Sequence, residues 1–230
     1  MTRIKLPPQA RRTQFLDCAQ ALFFSRGYEA ATVNDIIEMA GLSKGAFYHY
    51  FDSKEALLDA LAERVAARVI EDAAPILEDP TLDALARLNA FIAQGAQWKI
   101  EQAPLLKAVF QAILRAENVL LNRRILATMG RVTIPVIVDM VREGVREGVF
   151  DPVSPTLLAE IFLNLGDGRM TVAVEAISAA ERGDLDTATA LLETRLQDEA
   201  AVLDRLLGVP PGSVRLVEPG FVRAILAVFA

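Results

Sequence analysis

A chain of 230 residues and 25.1 kDa is long enough to bury a sizeable core, as one large domain or as a small head on a larger body. Its hydrophobic content of 53% and mean hydropathy of +0.30 are high, yet no stretch approaches the roughly 18 uncharged apolar residues of a membrane-spanning helix, so the surplus must be buried inside, against a partner subunit or around a ligand. A single cysteine, Cys18, and a single histidine, His49, exclude an intrachain disulfide and a His/Cys metal cluster and imply no cofactor, and any Ser-His-Asp or Cys-His catalytic unit would have to be built on His49 itself.

The opening MTRIKLPPQARR has basic residues but no apolar segment behind them, so it does not read as a signal peptide, and the expected location is the cytoplasm. From there the sequence reads as helix almost throughout, with apolar residues at three- and four-residue spacing and no sustained alternation, which predicts an all-α fold. A first helix is expected over about residues 8 to 26, with Phe15, Leu16, Ala19, Leu22 and Phe23 on one stripe, Cys18 beside it, and Gly27 as the stop. A second opens at Thr32, whose hydroxyl can cap the first turn while Asp35 answers it, and ends at Gly41. After the short Gly41-Leu42 turn, Ser43 can cap a third, very short helix through about Tyr50. Asp52 and Ser53 offer the cap of a long fourth helix buried through Leu57, Leu58, Leu61 and Val65. Two short helices across a glycine turn, with a supporting helix before and a long one after, form the helix-turn-helix pattern.

Longer helices are predicted beyond residue 75, over about residues 81 to 102, 105 to 116, 119 to 147, 155 to 182, 185 to 207 and 219 to 229. The last of these, within GVPPGSVRLVEPGFVRAILAVFA, is almost wholly apolar around the single charge Arg223, and is expected to pack on the body or across a dimer.

Charge is divided unevenly. Residues 1 to 54 hold seven Lys/Arg against five Asp/Glu, a balance of +2, which leaves −8 for the remainder of a chain whose total is −6. A mildly basic head on an acidic body suits phosphate contact at one end. All three tyrosines and the histidine lie in the first 50 residues, most of them in the run Phe47-Tyr48-His49-Tyr50-Phe51. Phe47 and Phe51, four apart on a helix, can anchor one face to a core while Lys44, Tyr48 and His49 point elsewhere, a cation, a phenol and an imidazole suited to phosphates and base edges. Gly45 costs helix stability of about 1 kcal/mol relative to alanine but allows close approach to a surface such as a DNA backbone. On composition alone, an aromatic minicore with solvated lysines accounts for the run equally well.

The stretch TVNDIIEMAGLSKGAFYHYFDSKEALLDAL, with AQALFFSRGYEAAT before it, resembles the DNA-binding head of the tetracycline-repressor (TetR/AcrR) family, over residues 9 to about 70. The resemblance implies a three-helix helix-turn-helix DNA-binding domain at 1 to 70 and a larger ligand-sensing and dimerisation bundle at 71 to 230. It implies that the short third helix enters the major groove. Thr32 would then contact a phosphate, Ser43 would start the DNA-facing helix, and Lys44, Gly45 and Ala46 would face base edges. Tyr48 and His49 would grip phosphate or a thymine methyl, Tyr50 would lie nearer the buried side, and Lys54 would bind phosphate. By position, the helices at about 155 to 182 and 185 to 207 would form a four-helix dimer bundle.

The function so implied is transcription regulation by a homodimeric repressor, released from a palindromic double-stranded DNA operator by a small-molecule effector, without membrane involvement or catalysis. Candidates for an effector pocket are Phe91, Gln94, Trp98, Phe110, Met129, Met140, Phe162, Asn164 and Asp167, since methionine and aromatics line adaptable apolar sites and a few amides or acids orient the ligand. In NLGDGRM, Gly166 and Gly168 permit close approach, and the bland reading is helix packing with a local Asp167–Arg169 pair. The rival from another class is an all-helical small-molecule or lipid-binding protein, or an enzyme, whose head docks a partner. No acid/base constellation around His49 favours it.

Overall fold

The computed structural model describes residues 7–101, 107, 119–152 and 154–230, with the side chains at 24, 119–123, 163 and 167 outside the description. The helix predicted over 105 to 116, Phe110 on it, and the side chain of Asp167 therefore lie outside the described residues. Every regular element among the described residues is a helix: α1 (Pro8–Arg26), α2 (Val33–Ala40), α3 (Lys44–Tyr50), α4 (Lys54–Leu77), α5 (Ala84–Glu101), α6 (Val119–Glu147), α7 (Pro155–Glu181), α8 (Leu185–Leu207) and α9 (Phe221–Leu226). The chain divides into two compact units, Met1–Val65 with Pro104–Thr128 and Ala66–Ala103 with Met129–Ala230.

In the first unit, the α1 stripe of Phe15, Leu16, Ala19, Leu22 and Phe23 is buried together with Ile36, Ala40, Phe47, Phe51, Leu57, Leu58 and Leu61. Local chemistry sets the helix ends. Thr32 Oγ1 accepts from the Asp35 backbone N–H at 3.1 Å while the Asp35 carboxylate accepts from the Thr32 N–H at 2.8 Å, a reciprocal capping box. Those hydrogen bonds from Thr32 hold the Asp35 carboxyl below its ordinary range. Gly41 ends α2 in the left-handed region at φ 61°, a conformation a β-carbon would strain. Ser43 Oγ then accepts from Ala46 N–H at 3.1 Å, and Ser53 Oγ from Ala56 N–H at 3.1 Å, to start α3 and α4. From α6, Ile125 packs on the same core and Arg124 grips Asp59 with both Nε and Nη2, at 2.8 and 2.7 Å to its two oxygens.

In the second unit, α5 begins at Ala84 rather than near 81, because Asp79 accepts from the Thr81 N–H in a tight turn and Asp83 caps Ala86 N–H, both at 2.8 Å. The Glu147 carboxylate at the end of α6 accepts from Ala84 N–H at 2.8 Å, and the buried Arg87 guanidinium lies 3.0 Å from Glu143. Phe150 lies flat on Gly144, where an added β-carbon would stand 2.0 Å from its ring. The α7 and α8 helices pack along one another, and Ala176, Ala179 and Ala180 of α7 and Ala188, Leu192 and Leu196 of α8 are buried. Within this pair, buried Glu199 accepts from Arg169 Nε at 2.9 Å and from Arg195 Nε at 2.7 Å. Arg169 of the NLGDGRM segment thus reaches the next helix, a partner thirty residues on that local spacing does not reveal.

The chain after α8 is held by side chains far away in sequence. Asp204 accepts from Gly212 N–H at 2.7 Å and Val214 N–H at 2.8 Å, while Asn89 donates to Ser213 O and accepts from Arg215 N–H, both at 2.8 Å. The terminal helix is shorter than the expected 219 to 229: Gly220, at φ 81°, fixes its start and residues 227–229 leave it as turns. Val222, Leu226 and Phe229 are buried, and Arg223 pairs with Asp186 at 2.6 Å.

Candidate nucleic-acid interface

Seven residues are too few for a helix to stand alone in water, so α3 depends on its anchor. Phe47, fully buried, meets Phe15 edge-on with ring centroids 5.4 Å apart and Phe51 at 5.7 Å. With that face fixed, Ser43, Lys44, Gly45, Tyr48 and His49 are exposed and Ala46 and Tyr50 half-buried. Tyr50 leans on Phe15 at 6.4 Å, toward the core. The Lys44 ammonium stands 6.0 Å from the centre of the Tyr48 ring, itself 48% exposed, so cation and phenol occupy neighbouring positions on the open surface. A β-carbon at Gly45 would meet nothing within 4 Å, so the backbone there faces open space.

Thr32 is exposed at the N-terminus of α2, its hydroxyl already donating to Asp35 at 2.6 Å. Lys54 is more committed than its sequence position suggests. Its ammonium lies 4.0 Å over the Tyr28 ring and 3.5 Å from Glu29 O, and burial lowers its pKa. A phosphate contact by Lys54 would draw it from this seat. Sequence reasoning passed over Met39, which is 52% exposed beside buried Ile36 and Ala40; its off-face position in IIEMA was the available signal.

Of the body candidates, Phe91, Gln94 and Trp98 recur at three- and four-residue spacing along α5 and are half-buried, as are Met129 and Phe162. Met140 belongs to the core and Asn164 is exposed. An open depression is lined by Asp139, Arg142, Glu143, Val145, Arg146 and Pro155, mostly charged groups and none of the expected pocket residues. Among the described residues no group of three or more His, Cys, Asp or Glu side chains could hold a metal ion, and no helix is long and apolar enough to cross a membrane.

A short capped helix, anchored by one aromatic and offering the opposite face, following α2 across the three residues 41–43, defines a helix-turn-helix head. Residues 15–61 match the profile described as "Bacterial regulatory proteins, tetR family". The transcriptional repressor KstR2 of Rhodococcus jostii (strain RHA1) is 51% identical over 51 residues, 22% of this chain and 25% of its own length. That match spans only a quarter of the relative. The uncharacterised HTH-type transcriptional regulator YfiR of Bacillus subtilis (strain 168) is 25% identical over 191 residues, 81% of this chain and 92% of its own. Among solved structures, RolR in complex with resorcinol superposes with a TM-score of 0.59 at 19% identity, covering 96% of this chain and 94% of its own, and shares the fold. By these matches the head of the chain, residues 15–61, is similar to that of the TetR family of bacterial regulatory proteins.

Proposed function

We propose that the protein is a sequence-specific DNA-binding transcription regulator, a homodimeric cytoplasmic repressor released from a palindromic operator by a small-molecule effector, and not an enzyme. The exposed set Ser43, Lys44, Gly45, Tyr48 and His49, held out by buried Phe47, carries the reading. It combines phosphate donors, base-edge donors and a bare backbone on one short helix. A single such helix reads few base pairs, so a two-fold pair is needed for a useful site. Leu157 and Val174 of α7 and Leu191 and Val202 of α8 are large apolar side chains left exposed on two packed helices, a surface that a second copy would cover. Leu191 and Val202, eleven residues apart, share one face of α8. The resorcinol complex of RolR, which has the same fold, supports a small-molecule effector.

Genomic fragments retained by the purified protein and sequenced should be enriched in one inverted repeat. Recovery of no such repeat would remove the operator reading.

Two lysines separate base reading from phosphate binding. Lys44→Ala should cost about 1 to 3 kcal/mol on the preferred operator and less on mismatched ones, as loss of a base-edge contact does. Lys54→Ala should weaken every duplex alike and lower the salt slope by about one, since a phosphate carries no sequence information. Titrations of both variants against matched and mismatched duplexes at several salt concentrations check this. Equal losses on every sequence would take Lys44 out of base reading.

A further inference from the structure

Leu191, Arg195, Asp198 and Val202 of α8 follow one another at spacings of four, three and four, the alternation of a coiled-coil seam. At 3.6 residues per turn they fall within an arc of about 60°. Leu191, Asp198 and Val202 are exposed and Arg195 is half-buried. One stripe of α8 thus carries an apolar residue at each end and opposite charges between them, open to whatever lies outside the protomer.

The two central charges do not satisfy each other. Arg195 could reach Asp198 on its own helix, but turns instead to Glu199, at 2.7 Å. Arg169 of α7 takes the other oxygen of that buried carboxylate, at 2.9 Å, so two guanidiniums share one anion and a surplus positive charge remains at the surface. The Arg195 guanidinium lies over Gly168, 3.1 Å from where a β-carbon would stand, and a side chain at Gly168 would have to displace it. Asp198 makes no hydrogen bond or ion pair among the described residues. The stripe therefore holds a cation fixed in place with donors to spare and an anion without a partner.

A second copy of the chain supplies what each lacks. Leu191 and Val202 lie equally far from the midpoint between Leu196 and Gln197, and so do Arg195 and Asp198. Two α8 helices crossing antiparallel about a two-fold axis at that midpoint set every residue of the stripe against its complement. Other arrangements are penalised. Parallel pairing would bring like charges together, and an antiparallel shift of three residues would face arginine with arginine in one direction and aspartate with aspartate in the other.

We infer that two copies join antiparallel along α8 in this register, Leu191 on Val202 of the partner subunit and Arg195 on Asp198 of the partner subunit, each contact made twice. This rests on the homodimer reading above and adds to it the seam, the register and the ion pair. The guanidinium donates a charge-assisted hydrogen bond to the carboxylate, and the apolar residues at either end shield the pair from water.

Cys18 is the only cysteine of the chain, so in a Cys18→Ala background, checked by melting and sedimentation against the wild type, introduced cysteines report the register. Leu191→Cys protein mixed with Val202→Cys protein, allowed to exchange subunits and mildly oxidised, should give a disulfide-linked pair of the two. Neither should cross-link with itself, because identical positions would stand about 16 Å apart along the seam, beyond disulfide reach. By sedimentation, Asp198→Lys should weaken self-association by about tenfold or more while Asp198→Glu keeps most of it. Melting curves of both at saturating concentration confirm that they fold, as expected for an exposed position. The inference is overturned, and the homodimer reading stands, if the wild type sediments as a dimer but the mixture does not cross-link, if either cysteine variant links with itself, or if Asp198→Lys associates as the wild type does. A wild type that sediments as a monomer at every concentration removes both.

Discussion

Phe47→Ala should abolish operator binding by unfolding the head, not by removing a DNA contact. Phe47 is fully buried and its ring touches Phe15, Tyr48 and Phe51. Truncating a buried phenylalanine costs about 3 to 5 kcal/mol. That is a large share of the roughly 5 to 15 kcal/mol that stabilises a domain, and α3 has no other fully buried large side chain to hold it. Circular dichroism melts should show a lowered first transition, with a smaller drop for Phe47→Leu. Tyr48→Ala, at an exposed position, should leave the melt unchanged and weaken only DNA binding. A Phe47→Ala protein that melts as wild type does would mean that α3 is held by something other than this ring.

The head was legible in sequence because its determinants are local. Thr32 and Asp35 cap each other at a spacing of three, Ser43 and Ser53 do the same for their own helices, and Gly41 turns where the sequence places it. The aromatic spacing of four also separates Phe47 and Phe51 from the exposed face. What local reading could not supply was the seat of Lys54. Its position at the start of α4 suggested a phosphate contact, while Tyr28, far behind it in sequence, provides the ring it lies over.

The body was legible as a set of helices and much less so as a site. The α6 and α8 spans follow from apolar periodicity and breakers, but the polar contacts that organise this unit join distant positions. Asn89 bonds residues 213 and 215, Arg87 pairs with Glu143, and Arg169 with Glu199. Pairs such as Arg195–Glu199, Arg68–Asp72 and Gln97–Glu101 stand four apart on one helix, but they tie a helix to itself and not to its neighbours.

Deletion of residues 218–230 should lower the melting temperature of the body markedly, or shift the protein toward aggregate. Val222, Leu226 and Phe229 are all buried, against α5, α7 and α8, and full burial of such side chains contributes about 1.5 to 3 kcal/mol each. The ordering entropy of a six-residue helix offsets part of this, at about 1 to 2 kcal/mol for each backbone residue fixed, but deletion also bares the apolar surface those side chains covered. The cut falls beyond the latch that Asp204 and Asn89 make with residues 212–215, so the loss would belong to the helix and not to the turn before it. Leu226→Ala should reproduce much of the effect, at about 2 to 5 kcal/mol, without altering chain length. Arg223→Ala should cost little, because its pair with Asp186 is exposed on both sides. Sedimentation and thermal melts of the three variants decide the matter. If the truncated protein melts and assembles like the full chain, the terminal helix is an appendage and its burial adds nothing to stability.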